Sequence, residues 1–167
     1  MTDNDSSREQ LWTLIKDIKF AMFTTRHGNG HLHARPMTTQ NQSVDEDDRL
    51  WFFMSRRDSA VADLEGESEV NLSYSDTDEH SYVSVSGKAR AIVDLVKTRS
   101  LWSKAADVWF PGGVDDPDLA LVEVQITHAH YWNTKDNKMT QLYKLAKAVV
   151  TGETPKHMGD SVEVRTQ

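Results

Sequence analysis

The sequence has no cysteine, so its core is built without disulfides, and the chain suits a reducing compartment such as the cytoplasm. No stretch of about 18 consecutive apolar residues occurs, which leaves no candidate membrane-spanning helix. The opening residues, MTDNDSSREQ, are polar and acidic and lack the apolar core of a signal peptide. Basic residues are outnumbered: 19 Lys and Arg against 26 Asp and Glu give a net charge of -7. A domain that holds nucleic acid by its backbone carries a basic excess, so nucleic acid is not an expected partner. A small phosphorylated ligand remains compatible, because one pocket can be positive on an acidic protein. Two chemical signatures are also missing. No Gly-x-Gly-x-x-Gly follows a strand, against a Rossmann dinucleotide site, and no Gly-x-Ser-x-Gly marks a serine nucleophile.

What is present reads as one domain over residues 1–151, with a polar, loose tail over 152–167. Ser6 and Glu9 form a capping box ahead of Leu11, Leu14, Ile15 and Ile18, which predicts an amphipathic helix over 7–18. Phe20 to Thr25 and His31 to Gln40 read as a hairpin around His27-Gly28-Asn29-Gly30. Pro36 cannot donate to a ladder, so its strand is an edge or is bulged near Arg35. Leu50-Trp51-Phe52-Phe53-Met54 is a strand buried on both faces, after an acidic loop whose Asp45 to Asp48 are a solvated cluster rather than a paired acid and base. Asp58 or Ser59 caps a short helix through Leu64. Val70 to Ser75 alternates as a half-buried strand, and Tyr82 to Val93 is a long one, with Gly87 marking a bulge or close backbone approach. Asp94 caps a helix to about Val108, with Leu95, Leu101, Trp102 and Ala105 as candidate buried positions. Leu119 to Trp132 is a final strand, and Thr140 to Val150 a last helix with Leu142, Leu145, Ala146 and Val149 on one side. There is no repeat and no βαβ alternation, so the pattern predicts a small antiparallel barrel with flanking helices.

Three clusters invite chemistry. Arg35 lies within a strand beside a proline, and Arg56-Arg57 opens a turn just before a helix N-terminus. Together with Ser55 and Ser59 they suit a phosphate, whose oxygens match the guanidinium fork; the alternative is three solvated surface arginines. His27, His31 and His33, and the alternating His128 and His130, permit a metal on one strand face. No carboxylate stands at a complementary spacing, so polar-face residues are the expectation and no metal site is assigned. Trp109 and Phe110 precede Pro-Gly-Gly in a loop, covered by a partner subunit, by a flat ring ligand, or by their own barrel.

Arg35-Pro36-Met37, Leu50-Trp51-Phe52-Phe53, Ser86-Gly87-Lys88-Ala89, Trp109-Phe110-Pro111-Gly112-Gly113 with Asp116-Pro117, and Tyr131-Trp132 occur in this order. The set resembles the general stress protein branch of the pyridoxamine-phosphate-oxidase-like flavoproteins, over roughly Ser7 to Asn133. The resemblance implies a six-stranded antiparallel split β-barrel with flanking helices, a homodimer, and flavin mononucleotide (FMN) at the subunit interface. It implies that Arg35 meets the flavin or its phosphate, that Pro36 and Met37 line the ring edge, and that Trp51, Phe52, Phe53, Met54 and Ser55 run beneath the ring. Ser59 would reach the phosphate, and Trp109 and Phe110 would close over the cofactor from the second subunit. Two departures stand out. Ala60 occupies the place of a phosphate-binding lysine, so Arg56 or Arg57 is expected to substitute, and a larger flavin such as the adenine dinucleotide (FAD) becomes admissible. The C-terminal Arg-Leu-x-Pro-like strand of true pyridoxamine phosphate oxidases is absent, which argues against that substrate. No general base is named by the sequence. A flavin-dependent reductase, a non-catalytic flavin-binding or sensing protein, and a barrel acting through protein contacts are the three readings.

Overall fold

The computed structural model describes residues 3–42, 47–133, 138–152 and 160–164. Helix α1 (Asp3–Ile18) begins earlier than the capping box suggests, so Ser6 lies inside the helix rather than at its cap. Acidic Asp5 lies in the first turn, near the positive end of the helix dipole, and favours the extra residues. Leu11, Trp12, Leu14 and Ile15 form its buried stripe, at the spacing of one helical face. The helix stops at Lys19, whose N–H bonds the carbonyl of Ile15 at 2.8 Å and whose φ of 67° turns the chain left-handed. Glycine more often fills that place.

Among the described residues, seven antiparallel strands form one sheet: β1 (Phe20–Arg26), β2 (Leu32–Thr38), β3 (Arg49–Ser55), β4 (Glu69–Asp76), β5 (Ser81–Ile92), β6 (Leu119–Asn133) and β7 (Asp160–Val164). Their order is β2-β1-β4-β5-β6-β3, with β7 also on β6. The two ends of this path form no ladder with each other among the described residues; they meet at a bridge between Thr39 and Phe52 and at hydrogen bonds of Gln40 and Asn41 to β3, so the barrel is split along the β2–β3 seam. Pro36 therefore lies on an edge strand, and the β1–β2 register through Arg35 is regular.

Residues alternating inward from β1, β4, β5 and β6 fill the barrel: Phe23, Leu72, Val85 and Ala129 stand in one row of the register, and all are buried. Phe52 points into the same core and meets Phe23 edge to face at 5.2 Å. The outward residues of β3, Trp51 and Phe53, are buried as well, beneath α3 (Leu95–Leu101) and α4 (Lys104–Trp109). This explains the uninterrupted apolar run of β3. At Gly87 the β5–β6 register shifts, so the bulge and the close approach both occur there.

The single helix expected over 94–108 is two. The chain extends at Trp102 and Ser103, and the break lets Leu101, Ala106 and Phe110 all reach the second core while Leu95 and Ala105 face solvent. Strand β7 falls within the stretch whose polar composition suggests a loose tail. It covers the edge of β6 beyond the end of β3, pairing Ala129 to Asn133, and Val164 enters the core; an uncovered edge would leave ladder groups unpaired. Helix α5 (Lys138–Thr151) leaves Leu145, Ala146 and Val149 exposed, and the side chain of Leu142 lies outside the described residues. No helix among the described residues is long and apolar enough to cross a membrane.

Candidate functional site

The split seam is also where side chains converge. A cleft of about 330 Å³ opens between the end of β2, the end of β3 and helix α4. Pro36 and Met37 form one wall, Phe53, Met54 and Ser55 the floor, and Trp109 and Phe110 the far wall. These seven sequence-predicted residues thus meet in one place. Trp109 is 79% exposed whereas Phe110 is 6% exposed, so Phe110 packs on its own barrel and only the tryptophan is left uncovered. Lys19, Gln40, Asp58 and Asp118 add polar groups around the rim. Lys19 and Asp118 escape sequence reasoning: Lys19 lies outside the recognisable motifs and is placed here by the left-handed turn after α1, and Asp118 follows the Asp116-Pro117 motif directly but carries no local signal of its own.

Beside the cleft, with Asp58 bordering both, lies a polar corner between β1, β2 and α2 (Ser59–Gly66). Arg35 is buried on β2 and is the corner's hub. Its Nη1 donates to Thr25 Oγ1 at 2.9 Å, and its Nη2 donates to His33 Nδ1 at 3.0 Å and Ser59 Oγ at 3.4 Å. An arginine only donates, so His33 accepts at Nδ1. Asp58 and Asp63 lie 3.6 and 3.7 Å from the guanidinium. Asp58 also caps α2 by accepting from Ala60 N at 2.8 Å, which occupies the amide at the position where the resemblance expects a lysine.

Asp63 is the buried counterweight. It accepts from Thr25 Oγ1 at 2.7 Å and bonds His27 Nδ1 at 2.7 Å. Burial alone pushes its pKa up, but the hydrogen bonds from Thr25 and His27 and the charges of His27 and Arg35 outweigh this and hold it below the ordinary value of 3.8. A carboxylate with a depressed folded pKa adds stability that is fully present above the unfolded value and is lost as pH falls through the folded one. Asp63→Asn is therefore expected to flatten the loss of stability below about pH 4, measured by urea denaturation at stepped pH. An acid limb as steep as that of the wild type would show that Asp63 contributes nothing to it.

The remaining predicted residues go elsewhere. Trp51 and Phe52 are packing residues of the two cores, and Lys97 lies 4.6 Å above the Trp51 ring. Arg57 is turned outward, where Nε and Nη2 donate to Asp118 at 3.1 and 3.2 Å; the hydrogen bond raises the arginine's pKa and lowers that of the carboxyl, which Ser55 also holds. Arg56 lines a separate depression with Asp94, Asp115 and Asp116. Neither arginine takes the place of the missing lysine in this arrangement. His128 and His130 lie on the outer face of β6 against Glu163 and Ser161, and no group of three or more metal-ligating side chains forms among the described residues.

An antiparallel split barrel with a cleft at its seam and an arginine-centred polar corner beside it defines the class. The chain belongs to the pyridoxamine 5'-phosphate oxidase like family, which it matches over residues 6–156. It is similar to protein bli-3 of Neurospora crassa, 26% identical over 161 residues that span 89% of this chain and 75% of that protein. Its fold matches the crystal structure of a candidate general stress protein 26 from Jannaschia sp. with a TM-score of 0.75 and 25% identity, covering 97% of this chain and 99% of that one. The general stress FMN/FAD binding protein of Xanthomonas citri matches with a TM-score of 0.69 and 28% identity, over 80% of this chain and 92% of that one.

Proposed function

We propose that the protein is a flavin-binding general stress protein, acting in the cytoplasm as a homodimer, with FMN as its cofactor and FAD as an admissible alternative. The observation that carries this reading is the junction of two unlike surfaces. An apolar cleft suits a flat ring, and a corner holding a buried guanidinium and a hydroxyl, Arg35 and Ser59, adjoins it through Asp58. Small-molecule sites combine apolar walls with a few placed polar groups in this way. The flavin binding stated for the Xanthomonas citri relative supports it.

A bound flavin supplies electron-transfer chemistry that side chains lack. The chain's own part is to hold and shield it: Arg35 and Ser59 would anchor the phosphate, Met37 and Phe53 would face the ring, and Trp109 would cover it. The exposed Trp109 is also the residue we assign to the dimer contact, since one copy leaves it bare. An oxidoreductase acting on an unidentified substrate is the leading activity. Pyridoxamine phosphate is not the proposed substrate, because the only arginine after Arg99 is Arg165, in the polar C-terminal stretch, and the sequence has no Arg-Leu-x-Pro-like segment there. A non-catalytic flavin sensor is the second reading, favoured by the pairing of the acids around the cleft: Asp118 with Arg57 and Ser55, Asp58 with the cap of α2.

Trp109 gives the test. FMN should quench tryptophan fluorescence on binding, and Trp109→Ala should weaken affinity about tenfold or more, the loss of one stacked aromatic contact, and should raise the monomer fraction in sedimentation. Unchanged affinity and unchanged sedimentation would remove this residue from both roles.

A further inference from the structure

The corner that would hold a phosphate has a charge problem. Arg35 brings one positive charge, and Asp58 and Asp63 stand 3.6 and 3.7 Å from it. With both nearby imidazoles neutral, the five groups sum to -1, which repels a dianion. The Ala60 amide in the first turn of α2 does not help, because it is already held by Asp58. Arg57 is committed to Asp118, and Arg56 borders a different depression. Lys19 stands on the rim of the adjoining cleft rather than in the corner, so a second cation within the corner itself would have to be one of its histidines.

His27 is the group placed to supply it. Its Nδ1 is pinned by the buried Asp63 at 2.7 Å, while the side chain as a whole is 51% exposed. Asp63 fixes the ring so that Nδ1 donates, and Nε2 has no partner among the described residues. The same carboxylate faces Arg35 on its other side, so His27 and Arg35 flank one anchor. His33 cannot share the task while it holds Arg35: that bond exists only with Nδ1 unprotonated. Asp63 on α2 faces His27 directly, and the other charged and titratable groups of the corner are Asp58 at the cap of α2 and Arg35 and His33 on β2. Protonating His27 brings the corner to zero and turns Nε2 into an outward donor.

We propose that His27, held by Asp63, is the proton-dependent cation of the phosphate-binding corner, so that the protein takes up the phosphate of its flavin together with a proton. The proposal rests on the flavin reading above and adds a group to that site. Its consequence is selective. Affinity for a phosphorylated flavin falls as His27 loses its proton, whereas affinity for riboflavin, which has the same ring without the phosphate, does not.

The experiment is fluorescence titration of the full chain with FMN and with riboflavin from pH 5.5 to 8, in wild type, His27→Gln and His33→Gln. Phosphate itself titrates near pH 6 and gains charge as pH rises, so the variant rather than the wild-type curve assigns the proton. Wild type should lose about tenfold in FMN affinity relative to His27→Gln across the range, the scale of one charge-assisted hydrogen bond. His27→Gln should bind FMN with riboflavin-like pH dependence after correction for the phosphate, and His33→Gln should keep the wild-type profile. A wild-type FMN profile identical to that of His27→Gln would overturn the histidine proposal and leave flavin binding standing. Binding of neither flavin by a folded wild type would overturn both.

Discussion

Arg35→Ala should cost about 3 kcal/mol of stability, the usual scale for removing one partner from a buried charged network. Arg35 is 8% exposed and Asp63 is 6% exposed, so the carboxylate that the guanidinium faces cannot recover its lost interaction from bulk water. The donor to Thr25 and the donor to Ser59 disappear with it, loosening the grip of the β1–β2 hairpin on α2. Urea denaturation should show the loss, and Arg35→Met/Asp63→Asn should be less destabilised than the two single changes summed, because contacting groups are not additive. Strict additivity would mean that the two residues do not form one unit. A weakened flavin affinity in Arg35→Ala alone would then report folding as much as binding. Ser59→Ala, which keeps the packing of the corner, is the cleaner probe of the phosphate.

Gly87→Ala should be comparably severe for a different reason. A Cβ there would stand 2.5 Å from the backbone oxygen of Gln125 and 2.7 Å from Val124 Cγ1. The oxygen belongs to the paired strand and cannot rotate away, so β5 and β6 would have to part at the bulge. Overpacking of this kind costs about 1–3 kcal/mol, and the backbone contact puts Gly87 at the upper end. Gly28→Ala is the control: nothing lies within 4 Å of its added carbon, and its denaturation midpoint should stay near wild type. If both glycines tolerate alanine equally, the close approach at Gly87 is relaxed by strand movement at little cost.

These residues also show what the sequence discloses and what it hides. Strand β3 and the half-buried β4 are legible because apolar periodicity follows directly from which faces are covered, and Gly87 is legible because a lone glycine in a strand needs a spatial reason. The cleft walls follow from motif order. The break between α3 and α4 is not legible: no glycine or proline marks it, and it is set by the need of Leu101 and Phe110 to reach the same core. Strand β7 escapes for a similar reason, since five residues acquire strand identity only from the open edge of β6. The corner is the instructive case. Sequence shows three arginines, but only the fold shows that Arg35 is matched by two acids and Arg57 by Asp118. Asp63 looks like one polar residue of a surface helix, and its pairing with His27, 36 residues away, has no local signal.

Whether a flavin occupies the seam decides the proposed function. The deciding measurement is the visible absorption spectrum of the purified protein after incubation with FMN and removal of excess by gel filtration. A retained flavin spectrum at one cofactor per chain, eluting with a dimer, is the expected result. A folded protein that leaves the column colourless would contradict it.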